Sequence, residues 1–138
     1  MTIEYTCDMT RITNDMLPNG FFVGWPNPPS PEAHLKILQN SYLSYVAIDT
    51  EKGKVVGFIN AISDGVLSAY IPLLEVLPEY QGKAIGSELV RRVLADLSDL
   101  YMIDILCDED VRPFYNKLGA INATGCLYRN YTAQSGRK

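Results

Sequence analysis

The stretch EYQGKAIGSELV, residues 79–90, joins a polar, glycine-spaced turn to the start of an amphipathic helix. The small residues at 82, 84 and 86 let an anion approach the backbone, and the first amides of a helix have no helical partners and attract negative charge. The pattern therefore fits a pyrophosphate bound on the amides of residues 81–87. The alternative is a plain strand-to-helix turn whose glycines serve packing only, and the turn taken alone favours it.

Two common phosphate-binding motifs do not fit this turn. A P-loop requires Ser or Thr after its Gly-Lys pair, whereas Gly82-Lys83 is followed by Ala84. A dinucleotide fingerprint requires three glycines in the pattern G-x-G-x-x-G, and this turn has two. The identity of the ligand must therefore be inferred from the segments before and after the turn.

The helix after the turn is the clearest in the chain, because six aliphatic residues between Ile85 and Leu97 fall on one stripe at helical spacing. The preceding residues, 66–77, predict a strand with Pro72 in its middle. Because proline cannot donate to a β-ladder, this position requires an edge, a bulge or a gap. We expect the strand and its neighbour to part near residues 72–76.

The other segments predict an α/β domain around one sheet. Strands are expected at residues 2–9, 45–49, 55–63, 101–107 and 126–131, and helices after Ser30 and over residues 111–118. Asp110 is expected to cap the last helix and Gly119 to end it. A length of 138 residues fits a single domain over residues 1–138.

Composition narrows the classes of partner. The net charge of −4 argues against a nucleic-acid surface and favours a cationic or amine-bearing partner. Three scattered cysteines and one histidine, His34, predict no metal site and indicate reduced thiols in the cytoplasm. No apolar stretch is long enough to span a bilayer, so no membrane partner is expected.

Two motifs, in the right order and with a strand between them, resemble those of the GNAT superfamily of acyl-CoA-dependent N-acetyltransferases. Residues 81–86 match the signature (R/Q)-x-x-G-x-(G/A), except that Ala84 replaces its first glycine, where a positive φ would be strained. Residues 112–120, RPFYNKLGA, match the second motif. The resemblance implies a single GNAT-like domain with a mixed central sheet, in which parallel strands splay and helices flank the sheet.

The resemblance also implies a co-substrate and a reaction. Acetyl-CoA is expected in the splay, and the acceptor amine is expected to attack the thioester directly, without a metal. The residues implied to bind the co-substrate lie on the strand and on the signature turn: Leu74, Val76, Leu77, Gln81, Gly82, Lys83, Ala84, Ile85, Gly86 and Ser87.

Two residues are candidates for the proton transfers. Tyr115 matches the acid tyrosine of the family and would protonate the leaving thiolate, although it could also be a core aromatic. Glu75 is the only carboxylate on the strand before the signature and is the candidate base. Its alternatives are a solvent-facing carboxylate, a carboxylate that binds backbone amides, or a water chain with no dedicated base.

The loop over residues 17–31 is rich in Pro, Gly and Asn but carries three large aromatic side chains. They either pin the loop to the core or line a pocket for the acceptor. On the second interpretation the candidate residues for substrate binding, by cation–π or apolar contact, are Phe21, Phe22, Trp25 and Tyr70.

The leading hypothesis is an enzyme that acetylates a primary amine of a small molecule or peptide. The alternative is a catalytically weak module that binds or senses acyl-CoA, which Ala84 and the lack of an obvious base keep open. The oligomeric state is also open, with a homodimer among the alternatives.

Overall fold

The computed structural model describes residues 1–137 and shows one five-stranded sheet in the order β1-β2-β3-β4-β5. Neighbouring strands are antiparallel from β1 to β4, and β4 and β5 are parallel. The sheet is therefore mixed, as predicted. The strands are β1 (Ile3–Thr6), β2 (Leu43–Asp49), β3 (Lys54–Ser63), β4 (Ser68–Val76) and β5 (Met102–Ile105).

Three α-helices flank the sheet: α1 (Pro31–Asn40), α2 (Ile85–Asp96) and α3 (Arg112–Lys117). The Ser30 side chain accepts a hydrogen bond from the Ala33 amide at 3.1 Å and caps α1, as its sequence predicts. No helix of the described residues is long and apolar enough to cross a membrane.

Helices α1 and α2 cover opposite faces of the sheet, as successive residues of β3 show. Gly57 faces α2, where a Cβ atom would lie 3.2 Å from the Ile85 side chain, so any larger residue would push this side chain away. Its neighbour Phe58 faces the other way and packs on His34 of α1. The stripe predicted for α2 is buried here as Ile85, Leu89, Val90 and Val93.

The sheet opens at Pro72, as its sequence predicts. β4 pairs with β5 only from Ser68 to Ile71, and β4 then continues to Val76 without it. On its other side, β4 carries one extra residue relative to β3 between the pairs Ile62–Tyr70 and Asn60–Leu73. This bulge accommodates the proline, whose nitrogen has no hydrogen to donate. The result is a gap between the C-terminal ends of two parallel strands.

Two local predictions near the C-terminus were wrong. Residues 126–131 form no strand in the described chain, and Leu127 and Tyr128 are exposed. A β-prone sequence forms a strand only where a partner accepts its backbone hydrogen bonds, and no other described strand pairs with this segment. Asp110 does not cap α3, because a 3₁₀ turn over Glu109–Val111 leads directly into the helix.

Candidate active site

A cleft of about 640 Å³ opens where β4 and β5 part. One wall is formed by residues 71–75 of β4 and the opposite wall by the last residue of β5 and the three that follow it, residues 105–108. Helix α3 contributes Tyr115, and the loop before α1 contributes Phe22 and Trp25. This volume lies in the range of pockets that hold small ligands.

The turn before α2 presents amides that the helix does not use. The first amide of α2 with a helical partner is that of Glu88, which donates to Ala84 O at 3.1 Å. The N-cap residue Ala84 provides no side-chain acceptor for the amides of Ile85, Gly86 and Ser87. Amides at a helix start without partners form a binding site for an anion, and the helix dipole has the favourable sign.

None of residues 81–87 lines the cleft itself, but Gly86 lies beside two residues that directly neighbour cleft residues in the chain. A Cβ atom at this position would lie 3.6 Å from Phe114 and 3.7 Å from Val76, the neighbours of cleft residues Tyr115 and Glu75. Gln81 ties the turn to β4, since its Nε2 donates to Val76 O at 3.0 Å. Gly82 adopts a φ of +77° that favours glycine, while Lys83 is exposed and Ile85 is buried, so Ile85 offers its amide only.

Ala84 adopts the left-handed conformation, with φ 65° and ψ 15°, so the strain expected at this position is present. The left-handed region costs a residue with a Cβ atom roughly 1–2 kcal/mol.

We expect Ala84→Gly to raise the free energy of unfolding by roughly 0.5–1 kcal/mol, because the relieved strain exceeds the extra entropy of glycine in the unfolded chain. Affinity for acetyl-CoA should stay equal or rise slightly. Urea unfolding with and without the ligand measures both quantities. Clearly weaker binding by a folded variant would mean that the methyl group contacts the ligand.

The structure leaves Tyr115 able to act as an acid. Its ring packs edge-on against Phe114 with centroids 4.9 Å apart, and it lines the cleft. Burial, and to a lesser extent neighbouring Cys107, raises the pKa of the Tyr115 phenol to about 12. The phenol therefore stays protonated near neutral pH, which is the form that donates a proton.

Glu75 lines the cleft but is bound to backbone. Its Oε1 accepts from the Phe22 amide at 2.7 Å and its Oε2 from the Val23 amide at 3.1 Å. This is the amide-binding alternative that the sequence left open for Glu75, and a role as base stays a prediction.

Of the four aromatic residues predicted to bind substrate, two reach the cleft. Phe22 and Trp25 line it, and their rings lie 5.0 Å apart. Phe21 does not, because it packs edge-on against Phe58 and His34 in the core. Tyr70 lies in the paired part of β4, between Ile62 and Asp104, and does not line the cleft.

Leu77 does not face the cleft either. Its side chain is buried, and its amide donates to Val56 O at 2.9 Å, so neither group faces the cleft. Leu74 lines the cleft and Val76 does not, and binding of the co-substrate by this strand stays a prediction.

The family model described as "Acetyltransferase (GNAT) family" matches residues 9–120 of this chain. The chain belongs to the GNAT family of acetyltransferases. The match includes both motifs, the strands β2 to β5 and α3.

Solved structures and curated proteins that are similar to this GNAT domain carry acetyltransferase names. A structure assigned as an acetyltransferase from Deinococcus radiodurans R1 is 45% identical, covers 99% of this chain and 94% of its own, and has a TM-score of 0.93. GCN5-related N-acetyltransferase 3, chloroplastic, of Arabidopsis thaliana is 39% identical over 59% of this chain and 35% of its own length. Histone acetyltransferase TAP1 of Glycine max is 31% identical over 70% of this chain and 46% of its own. The matched region thus spans under half the length of these two curated relatives.

Several cleft residues of the GNAT domain were missed by the sequence analysis. Arg112 and Asn116 line the cleft beside Tyr115, and the spacing of four residues between them, which places two side chains on one face of a helix, was the available signal. Cys107 is exposed and also lines the cleft. Residues 120–129 also contribute to the lining, which an expected strand could not indicate.

The residues present fit an anionic, extended co-substrate. The unpartnered amides at the start of α2 suit a pyrophosphate. Lys83 on the turn and Arg112 in the cleft add positive charge to a chain whose net charge is −4. Within residues 1–137, no group of three His, Cys, Asp or Glu side chains is placed to hold a metal ion.

Proposed function

We propose that this GNAT domain transfers the acetyl group of acetyl-CoA to a primary amine of a small molecule or a peptide. The observation that supports the proposal best is the continuity of the opened sheet with the helix-start amides, which together form an extended site. The pyrophosphate would lie on the amides of residues 81–87, and the pantetheine arm along the unpaired edge of β4 near Leu74 and Val76.

Bound acetyl-CoA supplies a thioester carbonyl to the cleft. The amine nitrogen forms a bond to this carbonyl carbon, the carbon–sulfur bond breaks, and the ammonium proton passes to water. Tyr115 donates its phenolic proton to the leaving thiolate and is reprotonated from solvent. The loop aromatics Phe22 and Trp25 would hold the acceptor beside the thioester, by apolar contact or with a cationic group over a ring face.

The cellular setting of the reaction is part of the proposal. All three cysteines are free and exposed, which suits a reducing compartment, and we propose the cytoplasm.

We expect acetyl-CoA to stabilise the folded protein, because it binds only the native state. At a concentration of about 100 times its dissociation constant the gain is about 2.7 kcal/mol, which raises the Tm of a domain of this size by roughly 10 °C. Differential scanning fluorimetry measures the shift, with adenosine as a control that lacks the pyrophosphate. An unchanged Tm at millimolar acetyl-CoA would contradict the proposal.

Thiol release separates an enzyme from a sensing module. The protein and acetyl-CoA are incubated with spermidine, benzylamine, tyramine and a lysine-containing peptide, and free thiol is followed over time. Turnover with any of these amines supports the transferase. A shift in Tm without turnover in a wide amine panel would favour the acyl-CoA-sensing alternative.

A further inference from the structure

The side chain of Glu75 binds two backbone amides of the loop before α1. The carboxylate lies on β4, and the two amides it binds, those of Phe22 and Val23, lie more than fifty residues earlier in the chain. Each carboxylate oxygen accepts one amide, so the side chain satisfies two backbone donors of a loop that has no sheet partner there. Charge-assisted hydrogen bonds of this kind are about twice as strong as neutral ones.

The loop needs such support because Phe22 is held in an unfavourable conformation. Its φ is 62°, in the left-handed region that costs a residue with a Cβ atom roughly 1–2 kcal/mol. The Phe22 ring is nevertheless buried, and it packs 5.0 Å from His34 and 5.9 Å from Phe58. The strand register places Glu75 directly opposite Phe58 on the same face of the sheet. The Glu75 carboxylate and the Phe58 ring therefore contact the loop from the same side.

The conformation of Phe22 determines where Trp25 lies. The Trp25 amide donates to Phe22 O at 3.1 Å and closes a turn, and the two rings are in contact. Trp25 is 38% exposed and lines the same cleft as Glu75 and Tyr115. A change at Phe22 therefore moves the aromatic wall of the cleft.

We propose that Glu75 is a positioning residue for the acceptor: by binding the amides of Phe22 and Val23, it fixes the Phe22–Trp25 wall against which the amine substrate rests. The acceptor-binding part of this proposal rests on the proposed function. The effect of Glu75 on the loop geometry can be tested without any substrate. It also assigns Glu75 a role other than that of a base, since the carboxylate holds the loop through both of its oxygens.

The test uses Glu75→Gln and the single tryptophan of the chain as a reporter. Glutamine has the length of glutamate, but its NH₂ group faces one amide donor and its neutral oxygen binds the other more weakly. We expect the Trp25 emission of the free protein to shift to longer wavelength and its quenching by iodide to increase. Glu51→Gln makes the same chemical change on an exposed turn outside the cleft and should leave the emission unchanged.

Kinetics with the best amine of the panel then separate positioning from catalysis. The KM for that amine should rise about tenfold, the size expected for losing one hydrogen bond to a charged group, while kcat and the KM for acetyl-CoA change little. Glu75→Asp keeps the charge on a shorter side chain, and its amine KM should lie between the wild-type and Glu75→Gln values. It also replaces Glu75→Gln if circular dichroism shows that the latter is unfolded.

Two results would overturn the proposal. One is that Glu75→Gln loses kcat and the pH dependence of kcat while its Trp25 emission stays unchanged, which would make Glu75 the base. The other is wild-type emission and wild-type amine KM in folded Glu75→Gln. If wild-type protein acetylates no amine, the proposed function fails, and the emission of Glu75→Gln still decides whether Glu75 positions the loop.

Discussion

Gly86→Asp is expected to abolish binding of acetyl-CoA by a protein that still folds. A Cβ atom here points between Val76 and Phe114 at ordinary contact distances, so the backbone needs no shift, and φ at Gly86 is not in the left-handed region. The added carboxylate would place a negative charge beside the amides on which the pyrophosphate should lie. Isothermal titration calorimetry with acetyl-CoA measures the loss, and it should exceed about 100-fold, since both repulsion and lost space oppose the ligand.

Two matched variants separate charge from volume at this position. Gly86→Ala adds only the methyl group for which contacts of 3.6–3.8 Å show room, and it should bind nearly as well as the wild type. Gly86→Asn has the size of the aspartate variant without its charge and should lie between the two. An acidic side chain in the first turn of a helix is favourable, so the Tm of unliganded Gly86→Asp should fall little. Wild-type affinity in a folded Gly86→Asp variant would place the anion elsewhere.

The elements that the sequence predicted correctly are those set by a local rule. Ser30 caps α1 because its hydroxyl can reach the amide three residues on, and Gly119 adopts a φ of +98° after the end of α3. Pro72 opens the sheet because it has no N–H, whatever lies beside it. The signature turn was identified in the same way, and its left-handed Ala84 follows from its place in the motif.

The features that sequence analysis missed depend on partners far away in the chain. Phe21 and Phe22 are adjacent aromatic residues of one loop, yet Phe21 turns to Phe58 in the core while Phe22 also reaches the cleft. No feature of the local sequence distinguishes the two residues. Glu75 has its role only because the amides of residues 22 and 23 fold back onto β4. Residues 126–131 have strand composition, but strand formation requires an edge to pair with, and that is a property of the whole sheet.

Tyr115→Phe is expected to slow the chemical step by about 10²–10⁴-fold, the usual range for losing one positioned general acid or base. The change keeps the ring and its contact with Phe114 and removes only the hydroxyl. Affinity for acetyl-CoA and the Tm should therefore stay close to the wild-type values. The loss should appear in kcat, because the phenolic proton matters only as negative charge develops on sulfur.

A thioester donor with a more acidic thiol tests the assignment of the proton. Such a thiolate leaves without full protonation, so the variant should recover part of its rate with an aryl thioester of acetate, while the wild type gains less. Because the pKa of Tyr115 is raised to about 12, the wild-type rate should show no loss from ionisation of this phenol between pH 7 and about 10. Steady-state thiol release with both donors, at saturating amine and with chemistry shown to be rate-limiting, makes the comparison. If the variant stays within about twofold of the wild-type rate, well short of the smallest loss expected for a general acid, then Tyr115 is a packing residue and water protonates the thiolate.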